Sequence, residues 1–118
     1  FNKWREALGN NLRCIVSGGG ALQPRLARVF WAAGIRVMEG YGLTETSPVI
    51  AVGGFEPENN MIGTVGPIID NTEVKIAPDG EILTKSESVM KGYYNKPEQT
   101  AEVFDAEGWF HTGDIGEI

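Results

Sequence analysis

The sequence predicts an α/β front part, built as a parallel β-α-β unit, followed by a mostly β part. In the front third, two short apolar stretches end at glycine turns and flank an amphipathic segment, which is typical of such units. In the second half, polar and apolar residues alternate around a Pro-Asp-Gly turn, which is typical of a β-hairpin. Because 42% of the 118 residues are hydrophobic, the chain has enough apolar side chains for a folded core.

The front part contains the three elements of one β-α-β unit. Residues 12–16 form an apolar run that stops at a glycine turn, which predicts a buried strand. Residues 21–33 place their apolar side chains on one face of a helix, with Pro24 tolerated in the first turn and Gly34 as the stop. Residues 35–38 are then predicted as a second strand, parallel to the first.

The back part follows a loop. Glycine, proline and asparagine cluster over residues 53–62, which indicates an irregular connection. Residues 73–76 and 81–84 flank a turn at 78–80 and are predicted to form a hairpin. Residues 97–103 begin with proline and carry an acidic residue in the first turn, which predicts a helix.

Two further segments complete the predicted organisation. Residues 89–94 are compatible with a short strand or an extended loop, and residues 108–118 with a turn followed by a strand. We therefore expect part of an α/β nucleotide-binding subdomain over residues 1–52, a connecting loop over residues 53–62, and part of a β-barrel-like subdomain over residues 63–118.

The chain ends indicate a piece of a longer protein. The sequence starts at Phe1 without methionine and stops at Ile118 within a predicted strand. We expect exposed strand edges in such a piece, and therefore self-association through those edges. Apolar residues such as Ile35 and Val37 are expected to be covered by a second copy.

Charge and cysteine content narrow the function classes. Ten basic and sixteen acidic residues give a net charge of −6, which argues against broad nucleic-acid or membrane-surface binding. A local phosphate site stays open, because backbone N–H groups can form one. Cys14, the only cysteine, is predicted as a small buried hydrophobe rather than a catalytic thiol. No apolar run has transmembrane length. We expect a cytoplasmic protein, with a peripheral position at the inner membrane as the alternative.

A glycine turn follows the first predicted strand. Gly18, Gly19 and Gly20 precede Ala21 at a strand-to-helix junction, which is where ligands of parallel sheets bind. Three glycines allow a flat ring or a phosphate to approach the backbone closely. The turn lacks the ending of a P-loop and the spacing of the dinucleotide fingerprint, so a purely structural turn is an equally good interpretation of this string.

A second polar segment, Y-G-L-T-E-T at residues 41–46, follows the second strand and should lie at the same sheet edge. Tyr41 offers a ring on which a base can stack, and Thr44 offers a hydroxyl for a phosphate oxygen. Glu45 offers a carboxylate for Mg²⁺. From these residues alone, a polar loop with an N-capping threonine is the simpler interpretation.

A third segment, G-W-F-H-T-G-D at residues 108–114, ends in a carboxylate after a glycine turn. Asp114 can accept hydrogen bonds from two ribose hydroxyls, or it can cap a turn. His111 is the only histidine and is predicted as a structural donor rather than a catalyst.

Four motifs in order resemble the adenylate-forming superfamily, which contains acyl-CoA synthetases, firefly-type luciferases and the adenylation domains of peptide synthetases. They are residues 41–46, G-T-V-G at 63–66, K-G-Y-Y-N-K-P-E at 91–98, and residues 108–114. Together they are far more specific than any one of them. The resemblance is greatest to bacterial long-chain fatty-acid CoA ligases. It implies that the chain is an internal piece of the N-terminal domain of such an enzyme.

The resemblance also implies roles for individual residues. Thr44 and Glu45 would be catalytic, with Glu45 binding the Mg²⁺ that accompanies ATP. Tyr41 would lie against the adenine and Asp114 would hold the ribose, so that the motifs surround one adenylate. The implied nucleotide-binding residues are Gly18, Gly19, Gly20, Ala21, Gly40, Tyr41, Gly42, Thr44 and Asp114. The glycine segments would also border the acyl site.

The implied reaction has two halves. A fatty-acid carboxylate attacks the α-phosphorus of ATP and gives an acyl-adenylate and pyrophosphate, and the thiol of CoA then takes the acyl group and releases AMP. Positioning and charge screening would carry this catalysis. The family's phosphate loop, its hinge and its C-terminal domain with the catalytic lysine are not among these residues. We therefore expect weak nucleotide binding at best, and no ligase activity, from this chain alone.

The sequence is also compatible with other functions. A peptide-synthetase-type adenylation domain is the rival within the superfamily, and a non-catalytic nucleotide-binding module is the rival from another class. A dinucleotide oxidoreductase is the weaker alternative, because the glycine turn at residues 18–20 lacks the full fingerprint.

Overall fold

The computed structural model describes residues 1–118, apart from the side chain of Pro57. Its helices are Asn2–Ala7 (α1), Pro24–Ala32 (α2) and Pro97–Glu102 (α3). Its strands are Ile15–Ser17 (β1), Val37–Gly42 (β2), Val49–Val52 (β3), Thr72–Ile76 (β4), Glu81–Ser86 (β5) and Phe110–Ile115 (β6). Short 3₁₀ turns cover Thr44–Thr46 and Pro57–Asn59.

The chain forms two compact units. The first consists of Phe1–Gly42 with Ala51–Pro67, and the second of Leu43–Ile50 with Ile68–Ile118. The subdomain boundaries expected from the sequence stay a prediction. None of the described helices has the length and apolar character needed to cross a membrane.

The predicted parallel β-α-β unit is confirmed. β1 and β2 pair in parallel, with Ile15 opposite Val37 and Ser17 opposite Glu39, and α2 connects them. Both strands lie further along the chain than predicted. The reason is that pairing starts with the bond from Ile15 N–H to the Arg36 carbonyl (2.8 Å), so residues 12–14 precede the ladder.

Helix α2 begins at Pro24 rather than at residue 21. Gln23 has extended backbone (φ −61°, ψ 123°), as expected for a residue before proline. The predicted stop is confirmed, because Gly34 adopts φ +73°. Gly34 N–H donates to the Trp31 carbonyl (2.9 Å) and Ile35 N–H to the Phe30 carbonyl (2.9 Å), which together form a Schellman motif.

The apolar residues after α2 are buried within the chain. Ile35 is 6% exposed and Val37 5% exposed, so the expectation that a second copy covers them is wrong. The indole of Trp31 in α2 donates to the Val37 carbonyl (3.1 Å) and ties the helix to β2. On β1, the outer strand of its sheet, Val16 points outward and is 59% exposed.

Strand β3 is a feature that the sequence analysis did not predict. It completes a three-stranded sheet in the order β1-β2-β3. Its four residues form a continuous apolar run between Pro48 and Gly53, without the alternation that identifies a half-buried strand.

The second unit contains an antiparallel sheet in the order β4-β5-β6. The predicted hairpin is confirmed, with Val74 opposite Thr84 and Ile76 opposite Ile82. Gly80 closes the turn with φ +90° and donates to the Ala77 carbonyl (2.9 Å). The predicted helix is confirmed as α3, and residues 89–94 are a loop rather than a strand. Leu83, Thr84 and Phe110 form the buried centre of this sheet.

Candidate active site

The glycine turn leaves the carboxyl end of β1 next to β2. A Cβ atom on Gly18 would lie 3.3 Å from the Gly40 carbonyl oxygen, so the two predicted glycine segments are neighbours. Gly19 adopts φ +77°, which favours glycine. A Cβ on Gly19 or Gly20 would have no described atom within 4 Å. The backbone of these two residues is therefore open to the approach of a ligand.

Glu39 fixes the segment that follows this turn. Its Oε1 accepts a hydrogen bond from Leu22 N–H (3.1 Å), and its carbonyl accepts one from Gly53 N–H (2.9 Å). Leu22 directly follows Ala21, so a strand residue anchors the end of the glycine turn. No role for Glu39 was predicted from the sequence. Its signal is a carboxylate near the end of a buried strand, where an apolar residue would be expected.

Tyr41 and Gly42 are the last residues of β2, whereas the sequence analysis placed them in a polar segment after the strand. Both are half-buried. A Cβ on Gly40 would meet Val52 Cγ2 at 3.5 Å, which is an ordinary contact. Thr44–Thr46 follows the strand after Leu43 and forms a 3₁₀ turn, which belongs to the second unit.

Thr46 holds this turn together. It is 1% exposed, and its hydroxyl oxygen accepts a hydrogen bond from Leu43 N–H (3.0 Å). The hydroxyl donates to the Pro48 carbonyl (2.7 Å), with the Leu43 carbonyl as a longer alternative at 3.0 Å. Thr44 is exposed and Glu45 half-buried on the same turn. The buried threonine thus fixes the backbone that presents its two neighbours.

Glu45 contacts the loop before α3 through side chain and backbone. Tyr93 Oη donates to Glu45 Oε1 (2.9 Å), and Met90 N–H donates to the Glu45 carbonyl (2.7 Å). The hydrogen bond to the carboxylate raises the pKa of the Tyr93 phenol, and burial and the negative charge of Glu45 raise it further. The phenol therefore stays a proton donor at neutral pH.

Asp114 lies on a bulge in β6. β5 pairs with β6 through Leu83 opposite His111 and then Glu81 opposite Ile115, so β6 carries extra residues between these pairs. Bulges of this kind redirect side chains and are common beside active sites. Asp114 is exposed, and its N–H donates to Thr112 Oγ1 (3.2 Å).

The carboxylate of Glu81 holds the bulge. Its Oε1 accepts a hydrogen bond from Gly113 N–H (2.9 Å), and its Oε2 lies 2.7 Å from His111 Nδ1. Thr112, which is buried, donates from its hydroxyl to the Ile82 carbonyl (2.8 Å). The contact of His111 agrees with the structural role predicted for it. Glu81 had no role in the sequence analysis, because its partners are 30 and 32 residues away.

The turn before β6 is organised by Asp105. Its Oδ1 accepts hydrogen bonds from Trp109 N–H (2.8 Å) and Glu107 N–H (2.9 Å). The bond from Trp109 is the main cause that lowers the pKa of the Asp105 carboxyl, and the bond from Glu107 and the charge of Lys75 act in the same direction. Lys75 Nζ lies 4.2 Å from the centre of the Trp109 ring, a cation–π contact.

The motif at residues 63–66 has a steric explanation. Gly66 adopts φ +85°, and a Cβ there would overlap the backbone of Val52 and Gly53. Gly63 adopts φ +90°, but its nearest neighbour would be Pro24 Cγ at 3.9 Å. Gly66 is therefore needed for the close approach of two backbone segments within the first unit, whereas Gly63 is needed for its conformation alone.

The carboxylate of Glu45 fits a metal ion that arrives with a nucleotide. No group of three or more His, Cys, Asp and Glu side chains among the described residues can hold an ion by itself. Mg²⁺ usually takes one or two carboxylates and completes its shell with phosphate oxygens and water. One half-buried carboxylate beside an exposed Thr44 is compatible with that pattern.

Comparisons with known proteins agree with the resemblance of the motifs. The family described as AMP-binding enzyme matches residues 2–94. The long-chain-fatty-acid–CoA ligase FadD15 of Mycobacterium bovis is 42% identical over 118 residues, which are 100% of this chain and 19% of that protein. The predicted resemblance to adenylate-forming enzymes is confirmed.

Solved structures confirm the fold class. The apo crystal structure of MatB from Rhodopseudomonas palustris superimposes with a TM-score of 0.82 at 31% identity, over 90% of this chain and 23% of that one. A malonyl-CoA ligase, solved as a ternary product complex with methylmalonyl-CoA and AMP, gives a TM-score of 0.76 at 35% identity over 87% and 24%. The chain thus spans about a fifth to a quarter of the length of these proteins.

Proposed function

We propose that this chain, which belongs to the AMP-binding enzyme family, is part of an AMP-forming fatty acyl-CoA ligase. The observation that carries the proposal is the 42% identity, over the whole chain, with a long-chain-fatty-acid–CoA ligase. The malonyl-CoA ligase complex with AMP and a CoA ester shows that a similar structure belongs to an enzyme holding both kinds of ligand.

The proposed reaction is a transfer in two steps. In the first, a carboxylate oxygen of the fatty acid forms a bond to the α-phosphorus of ATP, and the bond from that phosphorus to pyrophosphate breaks. In the second, the sulfur of CoA bonds to the acyl carbon, the thiol proton is lost, and AMP leaves with the electron pair of the acyl–oxygen bond. The reactants are anions, so the protein must hold them in line and screen their charge.

We assign the nucleotide to the residues that the motifs indicate. Gly19 and Gly20 have open backbone on which a flat base can lie, and Tyr41 supplies an aromatic face. Gly18, Ala21, Gly40 and Gly42 belong to the same two segments. Asp114, an exposed carboxylate on a bulge, supplies two acceptor oxygens for the ribose hydroxyls.

Thr44 and Glu45 are assigned to the phosphates. The hydroxyl of Thr44 would donate to a phosphate oxygen, and the carboxylate of Glu45 would hold the Mg²⁺ that accompanies ATP. The ion would neutralise phosphate charge. The buried hydroxyl of Thr46 and the contacts to Met90 and Tyr93 keep this turn in place. We also propose a cytoplasmic location, since the one cysteine has no disulfide partner in the chain.

The test uses the full-length protein that contains this chain. Incubated with ATP, Mg²⁺, CoA and a long-chain fatty acid, it should form acyl-CoA, AMP and pyrophosphate in equal amounts. Glu45→Gln should lower the rate by about a hundredfold, because transition-state charge stabilisation is lost. Glu87→Gln makes the same chemical change at an exposed carboxylate and should leave the rate unchanged. The 118-residue chain alone should form no acyl-CoA.

Other outcomes would identify the rival functions. Pyrophosphate exchange that depends on an amino acid instead of a fatty acid would indicate a peptide-synthetase-type adenylation domain. ATP binding without turnover of any acid, or full activity in Glu45→Gln, would indicate a non-catalytic role for this site and contradict the proposal.

A further inference from the structure

A side-chain hydrogen bond joins the motif at residues 41–46 to the motif at residues 91–98. Tyr93 Oη donates to Glu45 Oε1 at 2.9 Å, across 48 residues of sequence. The bond engages one of the two carboxylate oxygens. None of the ion pairs among the described residues involves Glu45.

Tyr93 is itself held in place. Its N–H donates to Thr100 Oγ1 (2.9 Å), and its carbonyl accepts a hydrogen bond from Lys96 N–H (3.2 Å). Thr100 Oγ1 in turn donates to the Lys96 carbonyl (2.8 Å). A Cβ on Gly92 would come within 2.8 Å of Thr100 Cγ2, so glycine is needed for this approach. The phenol therefore projects from a fixed loop at the start of α3.

The same loop also holds the backbone of Glu45. Met90 N–H donates to the Glu45 carbonyl at 2.7 Å, three residues before Tyr93. Glu45 is thus restrained at its main chain and at the tip of its side chain by one segment. A restraint at both ends limits the side-chain torsions of a residue that otherwise samples many rotamers.

We propose that Tyr93 is a positioning residue that holds Glu45 Oε1 so that Oε2 is presented to the Mg²⁺ of the bound nucleotide. The inference is based on the proposed function, in which Glu45 is the metal ligand. A neutral phenol suits this task, because it orients the carboxylate without cancelling its charge, as a lysine or arginine would. Mutation of a residue that hydrogen-bonds a metal ligand typically lowers metal affinity or activity by about 10–100-fold.

The experiment measures how much Mg²⁺ strengthens ATP binding, with no fatty acid present. The Kd of ATP for the full-length protein is determined by calorimetry once with excess Mg²⁺ and once with EDTA. The ratio of the two values is the coupling between metal and nucleotide. Tyr93→Phe removes only the hydroxyl and should reduce this ratio by about tenfold, while the Kd in EDTA stays at the wild-type value.

Tyr94→Phe is the matched control, because it removes the same group from the neighbouring side chain, which is 90% exposed. It should leave both Kd values unchanged. In a Glu45→Gln background, Tyr93→Phe should have no further effect on the ratio, since the group through which it acts is altered. Tyr93→Met, which also lacks the hydroxyl, should reproduce the effect of Tyr93→Phe.

Each other outcome overturns one of the two proposals. An unchanged ratio in Tyr93→Phe, with normal coupling in the wild type, contradicts the positioning role and leaves the proposed function intact. An equal loss of affinity with and without Mg²⁺, or a collapse of the melting temperature in both Tyr93 variants, shows that Tyr93 serves packing alone. Absence of ATP binding or of Mg²⁺ coupling in the wild type contradicts the proposed function itself.

Discussion

Three adjacent residues of the 3₁₀ turn have three different environments. Thr44 is exposed, Glu45 is half-buried against Tyr93, and Thr46 is buried with its hydroxyl bonded to backbone groups. A short polar string therefore contains two residues that we propose as ligand contacts and one that keeps the turn folded. Residue type alone does not separate the two threonines, because their difference lies in burial.

The same substitution at the two threonines should affect different properties of the protein. Thr46→Val leaves the partly buried Leu43 N–H without its acceptor, which should cost about 1–3 kcal/mol in the free energy of unfolding. Thr44→Val should leave stability nearly unchanged and weaken ATP binding in the full-length protein. Urea denaturation of both variants checks the first effect and calorimetry the second. Equal stability losses would show that the turn does not depend on the Thr46 hydroxyl.

Asp105 should make stability depend on acidic pH. Its pKa lies below the ordinary 3.8 in the folded protein, mainly because Trp109 N–H donates to the carboxylate. A lowered folded-state pKa means that the stabilising contribution is present above the unfolded value and is lost as the pH falls through the folded value. Asp105→Asn should therefore lower the melting temperature at neutral pH.

The difference in melting temperature between Asp105→Asn and the wild type should narrow as the pH falls below about 3.8. Melting temperatures recorded for both proteins from neutral pH down to the acid range provide the check. A difference that stays constant over this range would mean that the carboxylate charge of Asp105 does not contribute to stability.

At the scale of elements, single residues set the ends of a helix and an irregularity of a strand. α2 starts where Pro24 excludes the helical conformation of Gln23, and it ends where Gly34 adopts φ +73°. The bulge in β6 follows from the Glu81 carboxylate, which accepts the hydrogen bond from Gly113 N–H. These contacts place the proposed ligand-binding residues at the ends and irregularities of regular elements.

Gly66 and Gly63 form a matched pair for testing such a contact. Both have positive φ, so alanine at either position should cost about 1–2 kcal/mol for the conformation alone. Gly66→Ala should cost clearly more, because its Cβ would overlap the backbone of Val52 and Gly53. Urea denaturation of the two variants measures the difference. If Gly63→Ala is as destabilising as Gly66→Ala, the steric account of Gly66 is wrong.

Local signals explain which elements the sequence predicts. The β4–β5 hairpin and the start of α3 follow from turn and proline chemistry within a few residues. β3 has no such signal, because its four consecutive apolar residues lack the alternation of polar and apolar side chains that is typical of a strand. The sequence also predicted Glu45 as a candidate ligand but not Tyr93 as its partner, because a contact across 48 residues leaves no trace in spacing.

At the scale of the whole molecule, four short motifs identify the family although the chain spans about a fifth of its curated relatives. The motifs have different physical tasks. Residues 41–46 and 108–114 present carboxylates, residues 91–98 hold one of those carboxylates, and residues 63–66 allow two backbone segments to meet. The same strings thus contribute contacts to the fold and point to the chemistry.

The most direct test is a crystal structure of the full-length protein with ATP and Mg²⁺. We expect the adenine on the glycine turn against Tyr41 and the ion on Glu45 Oε2, with Tyr93 still bonded to Oε1. We also expect the Asp114 carboxylate within hydrogen-bond distance of both ribose hydroxyls. A nucleotide bound away from Gly20, Tyr41 and Asp114 would contradict these expectations.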